Sequence, residues 1–246
     1  VHLGRLGLTA LVFDLDGVVT RTASVHARAW KHLFDAFLKA RAAETGEPFV
    51  PFDIEADYVA HVDGLPRYDG VRTFLASRGI DLPFGSADDP PGAATVRGLG
   101  NRKNTEFNAV LAEHGVEVYP ASLALIRHFR AAGLRTAIAS SSKNAVRVLE
   151  TAGIQTLFDA VVDGNVSARE GLPGKPDPAI FVRAAELVGA TPAEAAVFED
   201  AVAGIEAGRA GAFRLVVGVD RRAGAEALLD GGADVVVNDL GDLPLD

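Results

Sequence analysis

Leu8-Thr9-Ala10-Leu11-Val12-Phe13-Asp14-Leu15-Asp16-Gly17 is the stretch on which the reading of this chain turns. Residues 8–13 form a short apolar run, which predicts a buried strand. It ends in two acids spaced by one residue. In an extended chain, residues two apart point to the same side. Asp14 and Asp16 therefore both reach the crevice beyond a strand's carboxyl end, where open α/β sheets bind ligands. Gly17 permits the sharp turn that follows. One carboxylate can attack phosphorus and the other can move a proton.

The rest of the chain supplies the frame for such a strand. From Tyr119 onward, helical and strand patterns alternate. Helices are expected over 121–132, 145–152, 178–188, 201–210 and 224–229. Strands are expected over 135–139, 160–162, 195–198, 214–219 and 234–237. This alternation predicts an α/β fold: a Rossmann-like parallel sheet with helices on both faces. The first strand needs the later ones to complete the sheet. The domain expectation is a catalytic core formed by 1–22 and 119–246, with 23–118 as a small inserted helical cap. Within the insert, helical spacing is read over 23–43, 71–77 and 104–114. The Gly-, Pro- and Asp-rich stretch 82–100 reads as loop.

Composition bounds the function. The 246 residues are 48% hydrophobic, enough for a full α/β core plus a smaller unit. The formal net charge of −9 argues against nucleic-acid and anionic-membrane partners. No cysteine is present, which excludes disulfides and thiolate catalysis. No apolar run reaches the length of a membrane span, and no signal peptide is read at the start. A cytoplasmic, monomeric protein is the expectation. Only Lys31, Lys39, Lys103, Lys143 and Lys175 among the 24 basic residues are lysine, so a lysine inside a motif carries chemical meaning.

Four segments in order over 11–208 carry a family resemblance. Phe13-Asp14-Leu15-Asp16-Gly17-Val18-Val19 resembles the first motif of the haloacid dehalogenase (HAD) superfamily. Ile138-Ala139-Ser140-Ser141-Ser142-Lys143-Asn144 resembles the second. Lys175, in Gly174-Lys175-Pro176-Asp177-Pro178, resembles the lysine of the third. Phe198-Glu199-Asp200-Ala201, followed by Gly204-Ile205 and Ala207-Gly208, resembles the acidic fourth. The resemblance implies a nucleophile at Asp14, an acid/base at Asp16, a phosphoryl-holding hydroxyl at Ser140 and a screening cation at Lys175. It also implies a Mg²⁺ site formed by Asp14, Asp16 through its carbonyl, Glu199 and Asp200. Oxygen ligands of this kind suit Mg²⁺.

The insert resembles the cap of the β-phosphoglucomutase-like branch at three places: Thr22 to Trp30, Gly64 to Val71, and Gly100 to Asn104. This likeness implies substrate-binding roles for Thr22, His26, Arg67 and Lys103, with His26 orienting Asp16. Arg67 would clamp a second phosphate, and Ser142, Lys143 and Asn144 would share that clamp. Trp30 reads as packing. The implied reaction interconverts β-D-glucose 1-phosphate and glucose 6-phosphate through an aspartyl-phosphate and β-glucose 1,6-bisphosphate. The alternatives are a sugar-phosphate phosphatase of the same fold, acting for example on trehalose 6-phosphate or a hexose phosphate, and a non-catalytic binding module. Haloacid dehalogenation is disfavoured, because it has no use for Glu199 and Asp200 as metal acids. Two features depart from the branch. Arg21 stands where an acid is usual, and the intervals around Arg67 are long, including Gly85-Ser86-Ala87-Asp88-Asp89-Pro90-Pro91. Those extensions are expected to reshape the sugar pocket.

Overall fold

The computed structural model describes residues 2–245. Six parallel strands form one sheet in the order β3-β2-β1-β4-β5-β6. They are β1 Ala10–Phe13, β2 Arg135–Ala139, β3 Ala160–Val162, β4 Ala195–Glu199, β5 Leu215–Val219 and β6 Val235–Val237. The first strand in sequence is central, pairing with β2 on one side and β4 on the other. Every residue of β1 is buried, as an unbroken apolar run in a parallel sheet requires.

The helices of this unit are α5 Pro120–Ala131, α6 Ala145–Thr151, α7 Gly164–Glu170, α8 Ala179–Leu187, α9 Val202–Ala210 and α10 Ala225–Asp230. The chain runs outward from β1 to β3, returns to β4 and continues to β6. Right-handed crossovers then place α5 and α6 on one face and α8, α9 and α10 on the other. Residue size along the strands follows this division. Ala10, Val12, Ala137 and Ala139 are small and lie against Ile180, Phe181 and Ala184 of α8. Phe13, on the opposite face, stacks on Phe198 with ring centroids 4.5 Å apart.

The chain divides into two compact units: Val1–Thr22, Gly64–Pro66 and Val116–Asp246 form the sheet unit, and Ala23–Asp63 with Arg67–Gly115 forms the other. The second unit contains α1 Ala23–Thr45, α2 Asp57–His61, α3 Arg67–Ser77 and α4 Val96–His114. Its centre is aromatic. Phe34 stacks between Trp30 at 5.3 Å and Phe52 at 5.2 Å, and meets Phe74 at 4.1 Å. Trp30 is thus packing, as its helical spacing implies. The irregular stretch before α2 is pinned at Phe52. Its N–H donates to Asp35 Oδ1 at 2.8 Å, and its carbonyl accepts from Lys31 Nζ at 2.7 Å.

Four local expectations are corrected. The loop expected over 82–100 ends at Thr95, where α4 begins, although α4 then contains two glycines. Helix α3 starts at Arg67 and not at 71. Helices α2 and α7 lie where none was expected. Residues 64–66, expected inside the insert, group with the sheet unit, where the Gly64 carbonyl accepts from Ser141 Oγ at 2.8 Å.

The aromatic centre generates a stability prediction. Phe34 is fully buried, so Phe34→Ala removes a large side chain from a packed cluster. Unfolding free energy should fall by about 3–5 kcal/mol. Chemical denaturation followed by far-UV circular dichroism measures this; a loss below about 1 kcal/mol would show that the cluster relaxes around the cavity.

Candidate active site

Parallel pairing of β1 with β4 puts two carboxylates side by side at their carboxyl ends. Phe13 is in register with Phe198, so Asp14 follows beside Glu199, and the Asp14 N–H donates to the Phe198 carbonyl at 2.9 Å. Lys175 enters from the chain between α7 and α8. Its ammonium donates to Asp14 Oδ1 and to Glu199 Oε2, both at 2.6 Å. The lysine side chain is wholly buried. The other Glu199 oxygen accepts from the N–H groups of Asp200 and Ala201, at 3.1 and 3.0 Å.

Two glycines make room for this cluster. A Cβ on Gly204 would lie 1.9 Å from Glu199 Oε2, and one on Gly17 would lie 1.9 Å from Asp200 Oδ2. Gly17 also has a φ of +98°, a conformation that L side chains rarely adopt. Its carbonyl accepts from Arg221 Nε at 2.8 Å, a tie that no sequence motif signalled.

The charges do not balance. Burial raises the Asp14 carboxyl well above the usual carboxylate range, the Glu199 charge raises it further, and Lys175 opposes both. Burial also works against the Lys175 ammonium, but Asp14 and Glu199 outweigh it and hold the lysine above its ordinary value. One ammonium compensates one buried carboxylate and leaves the second in excess. Asp200 adds a third: oxygens of Asp14, Glu199 and Asp200 all lie within 4.8 Å of one another. A buried all-oxygen donor set with surplus negative charge fits a hard divalent cation.

Asp16 is held by hydroxyls. Thr22 Oγ1 donates to Asp16 Oδ1, and Thr20 Oγ1 lies 2.6 Å from Thr22 Oγ1 and 3.1 Å from the Leu15 carbonyl. Both threonines are buried. A hydroxyl can donate or accept. An ionised Asp16 is therefore served by donation from Thr20 to Thr22 to carboxylate. A protonated Asp16 is served by the reverse order, ending on the Leu15 carbonyl. Thr22, expected to touch substrate, is here a partner of the acid. Thr20 was not anticipated at all; its only signal is a β-branched polar residue among the apolar neighbours of the first motif.

Ser140 directly follows β2 and is buried. Its Oγ accepts from the Ser142 N–H at 3.1 Å, and Ser142 Oγ accepts from the Asn144 N–H at 3.1 Å. These local bonds shape the turn that carries Ser142, Lys143 and Asn144. Asn165 Nδ2, donating to the Lys143 carbonyl at 2.8 Å, braces it from α7.

The helical unit holds the other three candidates in two pairs. Lys103 Nζ bonds His26 Nδ1. An ammonium only donates, so that ring nitrogen accepts and the other nitrogen carries the proton. The His26 ring stacks on Phe107 at 4.0 Å, and the buried Lys103 lies over the Trp30 ring at 5.0 Å. Arg67 Nη2 donates to Asn104 Oδ1 at 2.8 Å. Burial pulls the Arg67 guanidinium below its ordinary value.

Comparison with known proteins agrees with this geometry. Residues 8–211 match the model of a family described as haloacid dehalogenase-like hydrolase. The chain belongs to the HAD superfamily. Within it, the chain falls in the β-phosphoglucomutase-like branch. It is 53% identical over 237 residues to a β-phosphoglucomutase of Mycobacterium bovis, covering 95% of this chain and 90% of that protein. It is 33% identical to a β-phosphoglucomutase of Bacillus subtilis, covering 97% of this chain and 93% of that protein. A crystal structure of β-phosphoglucomutase from Clostridium difficile superposes with a TM-score of 0.73 at 27% identity, covering 96% of this chain and 93% of that one.

The acid–lysine–acid cluster predicts a pH-dependent defect in Lys175→Met. With EDTA present, removing the cation should cost about 3–5 kcal/mol of stability near neutral pH. Without the Lys175 charge, the Asp14 carboxyl, already raised by burial, would move further above its unfolded value. The folded state binds more protons in that window, so its stability falls as pH rises through it. The deficit measured by chemical denaturation should be smaller at about pH 5 than at about pH 8. Equal deficits at both would contradict the excess-charge account.

Proposed function

We propose that this protein is a Mg²⁺-dependent β-phosphoglucomutase, interconverting β-D-glucose 1-phosphate and glucose 6-phosphate. What carries the reading is the presence of two features in one chain. One is a buried carboxylate cluster suited to phosphoryl transfer. The other is a second cation, Arg67, whose hydrogen-bond partner is a neutral amide and not an acid. A monophosphate substrate needs only the first, whereas a sugar bisphosphate needs both. Likeness to the β-phosphoglucomutases through both units supports the same choice.

Asp14 attacks phosphorus of the sugar bisphosphate. The Asp14 oxygen–phosphorus bond forms as the phosphorus–sugar oxygen bond breaks, and Asp16 delivers its proton to the departing sugar oxygen. In the return step Asp16 takes the proton of a sugar hydroxyl. That oxygen attacks the phosphoryl group and Asp14 leaves as carboxylate. The hydroxyl chain of Thr20 and Thr22 serves Asp16 in both states. Lys175 works against the burial that raises the Asp14 carboxyl and reduces its repulsion of the incoming phosphate. Ser140 holds the transferring phosphoryl oxygens. We assign Arg67, Ser142, Lys143 and Asn144 to the phosphate that is not being transferred, and His26 and Lys103 to the sugar phosphate more generally. Asp14, Glu199, Asp200 and the Asp16 carbonyl are the residues that would hold Mg²⁺, whose charge there offsets that of the phosphoryl oxygens. The core motifs 1–22 and 119–246 are taken as the catalytic part and the insert as the cap that selects substrate.

Asp14→Asn keeps the shape of the nucleophile and removes its charge. Turnover should fall at least about a thousandfold, and retention of more than about a tenth of it would refute the assignment. Both forms are assayed with Mg²⁺ and β-D-glucose 1-phosphate, following glucose 6-phosphate and free phosphate separately. Brisk phosphate release by the wild type without glucose 6-phosphate would favour the phosphatase.

Arg67→Ala separates the two phosphates. An arginine fork holds phosphate by two parallel hydrogen bonds. Its loss should lower mutase kcat/KM by about thirtyfold to a thousandfold, the size of breaking a desolvated charged pair. Hydrolysis of an aryl phosphate should remain near the wild-type rate. Equal loss of both rates would make Arg67 a structural residue only.

A further inference from the structure

The segment between α3 and α4, which reads as a free loop by composition, is stitched onto the start of α4. The first three N–H groups of that helix are all taken. Val96 donates to the Pro83 carbonyl at 3.0 Å, Arg97 to the Phe84 carbonyl at 3.1 Å, and Gly98 to Thr95 Oγ1 at 2.9 Å. The Gly98 carbonyl in turn accepts from the Gly92 N–H at 2.9 Å. This helix end is closed by the chain's own groups and offers nothing to an anion. The segment must serve another purpose.

Positions 97, 100, 101 and 104 lie on one face of α4, and each meets Arg67 or its neighbour Tyr68. The Arg97 guanidinium lies 5.5 Å from the Tyr68 ring and 5.0 Å from the Phe84 ring. Gly100 leaves the space that Tyr68 and Arg67 fill; a Cβ there would lie 2.7 Å from the Tyr68 ring and 3.3 Å from Arg67 Cδ. Asn101 links the segment to this pair. Its Nδ2 donates to the carbonyls of Asp89 at 2.9 Å and Ala87 at 3.3 Å, and its Oδ1 accepts from the Tyr68 hydroxyl at 3.0 Å. Asn104 bonds Arg67 itself.

We infer that residues 82–95 are a positioning element for Arg67, acting through Asn101 and Tyr68, and that they thereby set the affinity for the second phosphate of the substrate. A long arginine side chain loses rotamer freedom when it grips a phosphate. Here that freedom is removed before the ligand arrives, so binding is tighter for the same contacts. The inference rests on the assignment of Arg67 to that phosphate.

The test uses the full chain with Mg²⁺ and β-glucose 1,6-bisphosphate. Tyr68→Phe keeps the ring and removes only the hydroxyl that meets Asn101. Asn101→Ala cuts the whole link. KM for the bisphosphate should rise about two- to tenfold in Tyr68→Phe, the size of one lost hydrogen bond. It should rise about tenfold or more in Asn101→Ala. In both, kcat should stay within about twofold of wild type and aryl phosphate hydrolysis should be unchanged. Added to Arg67→Ala, neither substitution should raise KM further, because the group being positioned is gone. Additive effects in that background would overturn the inference, as would equal loss of mutase and aryl phosphatase activity. If Arg67→Ala raises KM and neither partner variant does, the inference fails while the clamp stands. If Arg67→Ala itself leaves KM unchanged, the clamp assignment fails first and the inference with it.

Discussion

A fully buried ammonium between two carboxylates is the constraint on which this sheet's carboxyl end is built. Lys175 bonds Asp14 and Glu199 at equal distance, and such a group is tolerated away from water only when its partners are in place. The strand order supplies the partners. Because β1 and β4 are neighbours, their terminal acids arrive side by side, and the lysine has to come from a third part of the chain. The glycines follow from this. A side chain at 204 would occupy the space of the Glu199 carboxylate, and one at 17 that of Asp200. Residue choices in three separate segments thus answer to one cluster of buried charges. The surplus negative charge that remains is what makes the cluster a place for a cation and an anionic substrate together.

The helical unit is organised on a different principle. Its centre is a stack of aromatic rings, and its polar candidates are held in pairs against that stack. Lys103 sits among His26, Trp30 and Phe107, and Arg67 sits beside Tyr68 and Asn104. Cations buried against ring faces retain some of the stabilisation lost with water. Arg67, bonded to an amide, stays available for an anion, where an arginine already paired with a carboxylate would not. The two long intervals around Arg67 belong to the same design. One is anchored by Phe52 and its Asp35 and Lys31 bonds, the other by α4 and Asn101.

Much of the sheet unit was legible because its signals are local. An apolar run ending in Asp-x-Asp-Gly, a lysine flanked by prolines in a lysine-poor chain, and an acid pair closing a strand each sit within a few residues. What was illegible depends on distant partners. Gly98 and Gly100 weaken any helical reading of α4, yet the helix forms because neighbouring backbone carbonyls cap it and Tyr68 requires the space at 100. The bond from Thr22 to Asp16 could not be read, because a hydroxyl has many possible partners and only the fold brings this one to the acid. The tie from Arg221 to Gly17 spans 204 residues and leaves no pattern in the sequence. Residues 64–66 carried a family signature for the arginine that follows them, but nothing local revealed that they return to the sheet unit.

That return has a consequence for how such enzymes diversify. Gly64 packs against Ala201 and bonds Ser141, and Pro66 fills the space left open by Gly174. The loops that carry the second, third and fourth motifs are therefore each in contact with Gly64 or Pro66, contributed from the middle of the inserted segment. Exchange of the whole insert for a foreign one would strip those loops of a shared support, even if both new junctions were joined without strain. Recombination that swaps 23–63 and 67–115 as two separate pieces, and keeps the tripeptide, is the route that conserves the catalytic loops. In evolutionary terms the insert is less a replaceable module than two half-modules sewn to the parent fold at their midpoint.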